Sequence, residues 1–290
     1  VSVTIRVNPV PDDDSGDATA AFSVSVGNID PVLTGADGLV VDEGAKVDLA
    51  TLGVGVTDPG FDNPDNTNDP GNGGEVSEFF LDGVIDWGDG TPTTPVRFAV
   101  TDPGQPGEPT IATPVHAPHF YADNGVYSVT VSFSDDDGPI VDRTLSILVE
   151  NVAPSLTIDD PGVVSDEGTG IELVDFARFT DPGFNNALNV NDPANGGQIE
   201  EFFSVTIDWG DNTTPDVFRL DDSVTQGGPG ESTRGLISAN HFYADNDRDG
   251  TPDNRYTVTV TLEDGDGGVD VQTFQVTVFT VAPALAPITA

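Results

Sequence analysis

Long stretches of this sequence occur twice, and this internal repeat limits the folds that the chain can adopt. Four pairs of stretches recur at an offset of 122 to 124 residues. They are VVDEG and VSDEG (40–44 and 164–168), TDPGF (57–61 and 180–184), NDPGNGGEVSEFF and NDPANGGQIEEFF (68–80 and 191–203), and HFYADN (119–124 and 241–246). Self-similarity at one fixed period indicates two copies of one domain.

The boundaries of the copies follow from where the similarity starts and stops. Beyond HFYADN the second copy carries seven extra residues, so Ala153-Pro154 recurs 129 residues later as Ala282-Pro283. The first 31 residues resemble the end of each copy, so we infer an excerpt of a longer tandem array, or a protomer whose half-domain a neighbour completes. The predicted parts are the last two strands of a preceding repeat (1–31), repeat 1 (32–154), repeat 2 (155–283), and the start of a following repeat or a linker (284–290).

The hydrophobic pattern of each copy is that of β-strands. Tyr127, Val129, Val131 and Phe133 alternate with serine and threonine, which is the period of a strand with one buried face. The connections are rich in Gly (33) and Pro (23), and no segment has a helical period. The alternation places Trp87 on the buried face of its strand. We predict an all-β chain of tandem Ig-like antiparallel β-sandwiches in an elongated array.

A resemblance to a known family rests on three motifs. A strand ends in DWGDG (86–90) or DWGDN (208–212), a later strand begins at HFYADN, and the last strand of repeat 1 closes on NVAP (151–154). This order resembles the PKD-type Ig-like β-sandwich, in the long form found in tandem in large bacterial cell-surface and secreted proteins. The resemblance implies the fold. Both copies depart from the compact form by an insert, 61–75 and 184–198.

Composition excludes several function classes. The chain has 50 acidic and nine basic residues and a formal charge of −41, and 39 of the acids are Asp. Such a charge repels nucleic acid and anionic lipid, and a compact fold that carries it needs counterions or bound metal. There is no Cys and no stretch of about 18 apolar residues, so we expect no disulfide, no thiolate site and no membrane insertion in this segment. These features favour an extracellular protein of a bacterial surface.

The sharpest candidate for a metal site is DNDRDGTPD at 245–253. Alternating oxygen ligands with a glycine at the bend are typical of Ca²⁺ loops, although position 12 is Tyr256 and a further ligand must come from elsewhere. The alternative is a solvated acidic turn. The predicted ligands are Asp245, Asp247, Asp249, Thr251 and Asp253.

Three further groups of acids are candidate calcium ligands. The inserts hold one group, for which the alternative is a charged surface loop: Asp58, Asp62, Asp69, Glu78, Asp181, Asp192 and Glu201. The turns of the last hairpins hold Asp135, Asp137, Asp264 and Asp266. Together with Asp42-Glu43 and Asp166-Glu167, these acids could bind a cation that bridges an interdomain joint. The alternative is that they form ordinary Asp-Gly turns. The DWGD motifs hold Asp86, Asp89, Asp208 and Asp211, as turn-forming residues or as calcium contacts.

No catalytic motif is present, and we predict that the protein is not an enzyme. The chain contains no nucleophile elbow, P-loop, HExxH or dinucleotide fingerprint, and His119 and His241 precede strand-like segments as structural residues. The predicted function is a calcium-stabilised stalk, filament or matrix fibre whose partners are neighbouring repeats or copies of itself. The alternative is an accessory adhesion, carbohydrate-binding or protein-binding module of a secreted hydrolase or adhesin, with surface polysaccharide as a partner.

Overall fold

The protein is described from a computed structural model. It describes residues 2–7, 18–24, 26–35, 38–65, 77–159, 162–189, 200–246 and 254–284. These residues form 21 β-strands and no helix. The described part of the chain therefore holds no helix long and apolar enough to cross a membrane.

A hairpin precedes the first complete sandwich. Strands β1 (Ser2–Val7) and β2 (Ala18–Ser23) pair antiparallel and form a two-stranded sheet of their own. Ile5 and Phe22 on this hairpin are about half exposed, at 54% and 51%. The assignment of the hairpin to a preceding repeat stays a prediction.

The described residues of repeat 1 form a sandwich with ten strands. Strand β8 pairs with β7 through its first residues and with β9 through the rest, so it joins the two layers into one eight-stranded sheet, β3-β6-β9-β8-β7-β11-β12-β4. The strands are β3 (Val32–Thr34), β4 (Leu39–Asp42), β5 (Lys46–Val47), β6 (Gly55–Asp58), β7 (Gly83–Asp86), β8 (Thr94–Asp102), β9 (Thr110–His116), β10 (His119–Phe120), β11 (Gly125–Phe133) and β12 (Val141–Glu150).

Repeat 2 has the same plan with two separate sheets. Their orders are β13-β15-β19-β18 and β14-β21-β20-β16-β17. The layers separate between β17 and β18, where repeat 1 has the continuous strand β8. The strands are β13 (Ser155–Ile158), β14 (Val163–Asp166), β15 (Gly170–Asp181), β16 (Phe203–Asp208), β17 (Asp216–Leu220), β18 (Val224–Thr225), β19 (Thr233–Phe242), β20 (Arg255–Glu263) and β21 (Val269–Phe279).

Each sandwich has its own hydrophobic core, and the predicted Ig-like β-sandwich fold is confirmed. Alternate residues of β11 and β20 point inward, as the period of two predicts. Trp87 and Trp209 are 0% and 1% exposed and lie at the centre of their cores. One pair in each copy is parallel rather than antiparallel, β4 with β12 and β14 with β21, because the chain switches layers between its first two strands.

Candidate cation site at the joint between the repeats

Carboxylates from both repeats meet where repeat 1 joins repeat 2. Glu43 follows β4, Asp123 lies in HFYADN, and Asp266 lies in the turn between β20 and β21. Each offers a carboxylate oxygen, and these oxygens lie within 4.8 Å of one another. Glu43 and Asp123 are 2% and 6% exposed. Among the described residues this is where three potential metal-binding side chains come together.

Glu43 is held in place by the backbone around it. Its N–H donates to the carbonyl of Glu150, and its Oε1 accepts a hydrogen bond of 2.8 Å from the N–H of Val152 in the linker. Its Oε2 is buried and accepts no hydrogen bond. Gly44 follows with φ of +64°, and a Cβ there would lie 2.4 Å from the carbonyl oxygen of Pro182 in repeat 2. Only glycine allows this close approach of the two repeats.

Repeat 2 supplies further acids from three strand ends. Asp181 ends β15, and its Oδ1 accepts from the N–H of Gly183 at 2.7 Å while its Oδ2 is buried and accepts nothing. Glu201 precedes β16 and accepts from Gly265 at 3.4 Å. Asp264 follows β20 and accepts from the N–H groups of Asp266 and Gly268. The joint therefore gathers the ends of strands that lie far apart in the sequence.

The electrostatics of this cluster are unfavourable unless protons or a cation are bound. Burial raises the pKa of Glu43 to about 9, and the charges of Asp181, Glu201 and Asp266 add to the rise. Burial likewise raises the pKa of Glu201 to about 8 and of Asp181 to about 7. None of the ion pairs among the described residues involves Glu43, Asp181 or Glu201. Buried acids that lack a positive partner are costly, and a hard cation that takes oxygen ligands would relieve that cost.

The first residues of the insert in repeat 2 pack against repeat 1 and close one side of the joint. The N–H of Phe184 donates to the carbonyl of Ala122 at 3.0 Å, and the side-chain amide of Asn186 donates to the carbonyl of Asp89 at 3.2 Å. Asn189 is 1% exposed and donates to the hydroxyl of Tyr127. These contacts with repeat 1 hold the described part of the insert in place, and calcium ligation by the insert stays a prediction.

The opposite end of repeat 1 carries a related but incomplete set of acids. Asp58 Oδ1 accepts from the N–H of Gly60, and Asp135 Oδ2 accepts from the amide of Asn28 at 2.9 Å. Burial raises the pKa of Glu78 to about 8, and a hydrogen bond and the charge of Asp136 add to the rise. Asp58 Oδ2 and Asp135 Oδ1 are buried and accept no hydrogen bond. The remaining predicted ligands at this end are Asp62, whose Oδ1 accepts from Glu78 N–H, and Asp137, which is exposed.

The predicted Asp-rich loop is described only at its start. Asp245 is exposed, and its carbonyl accepts a hydrogen bond of 2.6 Å from the hydroxyl of Tyr256. That loop stays a prediction. The other predicted ligands of the loop and two of those in the inserts lie outside the described residues: Asp247, Asp249, Thr251, Asp253, Asp69 and Asp192.

The acids of the DWGD motifs are engaged in hydrogen bonds within each repeat. Asp89 Oδ2 lies 3.1 Å from Nε2 of His119, whose ring stacks on Trp87 with centroids 4.4 Å apart. Burial alone would raise the pKa of Asp89, but hydrogen bonds from His119 and Thr91 outweigh it and hold the pKa below its usual value. Repeat 2 has the same arrangement in Asp211, His241 and Trp209, and Asp86 and Asp208 accept from Gly88 and Gly210.

Sequence reasoning missed one residue of the joint and undervalued another. Asp123 was not among the predicted ligands, and Glu43 was named only as part of an acidic pair near the joint. The motif HFYADN is identical in both copies, including Asp123, although a core strand tolerates other residues at its exposed positions. This identity was the available signal for Asp123. Glu43 and Gly44 carried the same kind of signal in the repeated DEG.

Comparisons with known proteins identify no family for this chain. No family model matches the chain, and no curated protein matches it. Among solved structures the chain is similar to the titin domains Z1Z2 in complex with telethonin, with 14% identity over 89% of this chain and 100% of that one and a TM-score of 0.31. It is similar to mouse clustered PcdhgC3 EC1-3, with 13% identity over 97% of this chain and 77% of that one and a TM-score of 0.31. It is also similar to the human desmocollin-1 ectodomain, with 14% identity over 97% of this chain and 47% of that one and a TM-score of 0.26.

Proposed function

We propose that the chain is a non-catalytic structural module whose joint is stiffened by bound Ca²⁺, in a PKD-type repeat protein outside a bacterial cell. The observation that carries the proposal is the pair of buried, unpartnered carboxylate oxygens at the joint, Glu43 Oε2 from repeat 1 and Asp181 Oδ2 from repeat 2. Groups of this kind are rarely left without a ligand, since each costs about 1–3 kcal/mol or more when unsatisfied. The extracellular and bacterial setting rests on composition and on the PKD resemblance.

The donor set selects among metals. Six carboxylates lie at the joint, the chain has no Cys, and no His belongs to the group whose ligand atoms come together there. Oxygen-only ligands exclude a typical zinc or copper site. Ca²⁺ accepts six to eight oxygens in flexible geometry, whereas Mg²⁺ demands a near-ideal octahedron. The resident ion we propose is therefore Ca²⁺, held by Glu43, Asp123 and Asp266, with Asp181, Glu201 and Asp264 around it.

The mechanical consequence is a joint that cannot bend without breaking ligand contacts. An ion that binds acids of both repeats adds to the close packing of Gly44 on Pro182 and to the hydrogen bond from Asn186 to Asp89. Because the ion binds only when the repeats are docked, its binding free energy favours the docked state. A stalk, filament or matrix fibre needs this stiffness.

An adhesion or binding module is the second candidate, and one feature of the joint favours it. A cleft of about 280 Å³ lies between the repeats, with Phe120 and His119 from repeat 1 and Phe184 from repeat 2 in its lining. Clefts at domain interfaces that combine apolar and polar groups are common ligand sites. Pull-down on insoluble glycans, with a Phe184→Ala variant as the comparison, tests this candidate. Retention of the wild type and loss of the variant would support it.

The test of the leading proposal is a paired measurement of stability and shape on the whole chain. We expect Ca²⁺, and not Mg²⁺, to raise the melting temperature above that in EDTA and to narrow the distribution of interdomain angles measured by small-angle X-ray scattering. Asp266→Asn should weaken both effects, while Glu172→Gln, at an exposed acid on β15 nine residues before Asp181, should leave them unchanged. Identical melts and scattering in Ca²⁺ and EDTA would refute the proposal.

A further inference from the structure

The acids that repeat 2 brings to the joint recur at the N-terminal end of repeat 1. Three places carry an acid in both repeats: the end of β6 or β15, the segment before β7 or β16, and the turn after β11 or β20. The matching pairs are Asp58 and Asp181, Glu78 and Glu201, and Asp135 and Asp264. The acids that repeat 1 adds at the joint, Glu43 and Asp123, lie at its opposite end. The set at the N-terminal end is therefore independent of the joint.

Two acids of this set are as deeply buried as their counterparts at the joint. Asp58 and Asp135 are 2% and 1% exposed, and Asp181 and Asp264 are 1% and 5% exposed. Burial at the N-terminal end therefore does not require the docking of repeat 2. Asp58 Oδ2 and Asp135 Oδ1 are buried and accept no hydrogen bond. Carboxylate oxygens in such positions rarely lack a ligand.

Two glycines leave open the space into which these carboxylates point. A Cβ on Gly60 would clash with Oε2 of Glu78 and would lie 2.9 Å from Oδ1 of Asp58. A Cβ on Gly138 would clash with Oδ1 of Asp135. Any larger residue at either position would displace the carboxylates, so the glycines allow the acids to gather.

Hydrogen bonds orient the acids and leave oxygens available to a ligand. The three bonds are Gly60 N–H to Asp58 Oδ1 (2.6 Å), the Asn28 amide to Asp135 Oδ2 (2.9 Å) and Glu78 N–H to Asp62 Oδ1 (2.8 Å). Each has a counterpart in repeat 2, with lengths from 2.6 to 3.2 Å. Because the same bonds occur in both copies, they are a property of the repeat and not of one contact between repeats.

Repeat 1 adds an acid that repeat 2 lacks. Asp136 stands where repeat 2 has Gly265, and its Oδ1 is buried and accepts no hydrogen bond. Burial raises the pKa of Glu78 to about 8, and Asp136 adds to the rise. Burial and the charges of Asp135 and Asp136 raise the pKa of Asp58. None of the ion pairs among the described residues involves these four acids, so no cationic side chain offsets their charge.

We propose that four acids at the N-terminal end of repeat 1 bind a Ca²⁺ ion of their own, without any ligand from repeat 2. The ligands are Asp58, Glu78, Asp135 and Asp136. A set of carboxylate oxygens on flexible side chains suits Ca²⁺ better than Mg²⁺. The ion connects the ends of β6 and β11 with the segment before β7, and the bond from Asn28 to Asp135 ties the linker to it. This ion stabilises repeat 1 itself, whereas the ion proposed for the joint restricts the angle between the repeats.

The test is a calcium titration of the full chain in about 0.15 M NaCl, followed by amide NMR. The N–H of Gly60 and the side-chain amide of Asn28 report the proposed site, because they donate to Asp58 and Asp135. The N–H of Val152 reports the joint in the same spectra. We expect the first two signals to shift and to saturate with a midpoint at or below about 1 mM Ca²⁺. Mg²⁺ at the same concentration should not saturate them.

Variants in one hairpin separate a site from a general effect of charge. Asp135→Asn should raise the calcium midpoint of the Gly60 signal at least about tenfold and leave that of Val152 unchanged, because a charged ligand is lost at one site only. Asp142→Asn, at an exposed acid of the same hairpin, should leave both midpoints unchanged. Asp58→Asn is a second, independent variant with the same expected result, and the spectra show whether each variant is folded.

Two outcomes would overturn the inference. One is the absence of saturable shifts at Gly60 and Asn28 up to about 10 mM Ca²⁺, beyond the affinities of extracellular calcium modules. The other is an equal effect of Asp142→Asn, which would indicate a diffuse layer of counterions. If Val152 responds to calcium and Gly60 does not, this inference fails and the proposed function stands. If Gly60 responds and Val152 does not, the proposed function fails instead.

Discussion

The Glu43→Gln variant is the most direct probe of the joint, because it removes one charge and preserves the shape of the side chain. In the metal-free protein we expect the variant to be more stable than the wild type at pH 7. Burial and the neighbouring acids raise the pKa of Glu43 from 4.5 to about 9, so folding at pH 7 requires the wild type to take up a proton. At about 1.4 kcal/mol per pH unit, this uptake costs roughly 3 kcal/mol at pH 7 and less than about 1 kcal/mol at pH 5. The neutral amide of the variant has no such cost, and its carbonyl can still accept from Val152.

Calcium should reverse the advantage of the variant in part. The variant loses a charged ligand, and each tenfold loss of calcium affinity removes about 1.4 kcal/mol of the stabilisation that calcium provides in excess. The assay is urea unfolding of wild type and variant in EDTA and in calcium, at pH 7 and pH 5. Glu167→Gln is the matched control, since Glu167 makes the same backbone hydrogen bond but faces no acids of another repeat. The reasoning is refuted if Glu43→Gln destabilises the metal-free protein, or if calcium stabilises it as much as the wild type.

Three further predictions concern the same region and its surroundings. Because the pKa values of Glu43, Glu201 and Asp181 are raised, these groups stabilise the metal-free protein most below pH 4–5, and this stabilisation is lost as the pH rises to about 9. Urea unfolding in EDTA should show the decline. Calcium binding at pH 7 should release protons into a weak buffer. Gly183→Ala should weaken calcium binding at least about tenfold in a calorimetric titration, because a Cβ there would lie 2.7 Å from Glu201 Oε2 and displace that flexible side chain. Gly228→Ala should leave calcium binding unchanged, because a Cβ at Gly228 would have no atom within 4 Å. His241→Ala should lower the free energy of unfolding by about 2–3 kcal/mol, because it removes a hydrogen-bond partner of the buried Asp211. It should not change the increase in stability that calcium produces. A change in that increase would contradict the structural role of the DWGDN motif.

The fold could be predicted from local pattern because its signals are local. Alternation in β11 and β20 marks the buried face of each strand, and the motif around each tryptophan marks the strand that the core surrounds. The continuous strand β8 was less accessible, since repeat 2 breaks the same region into β17 and β18. Repeat 2 carries the turn-forming residues Asp221-Asp222-Ser223 where repeat 1 carries Ala99-Val100, so the break was visible in the sequence, whereas the pairing of β8 with both layers was not.

The candidate site was predicted only in part. Asp181, Glu201, Asp264 and Asp266 were expected as calcium ligands, but in two groups, the insert and the hairpin turn. Their meeting depends on how the ends of β15, β16 and β20 come together at one end of the sandwich. Asp123 escaped prediction because it stands in a motif that is equally typical of a strand boundary.

The sequence by itself determined that the chain holds two copies of one all-β domain, which residues of each strand face inward, and that the surface would be intensely acidic. Those properties depend on residues close in the chain or on the total charge. Only the tertiary structure decided which few of the 50 acids lose their water and face one another across two repeats. That choice depends on the docking of Gly44 against Pro182 and of the insert against Tyr127, which are contacts between residues distant in sequence. Burial there raises the pKa values of Glu43, Asp181 and Glu201 above those of surface acids.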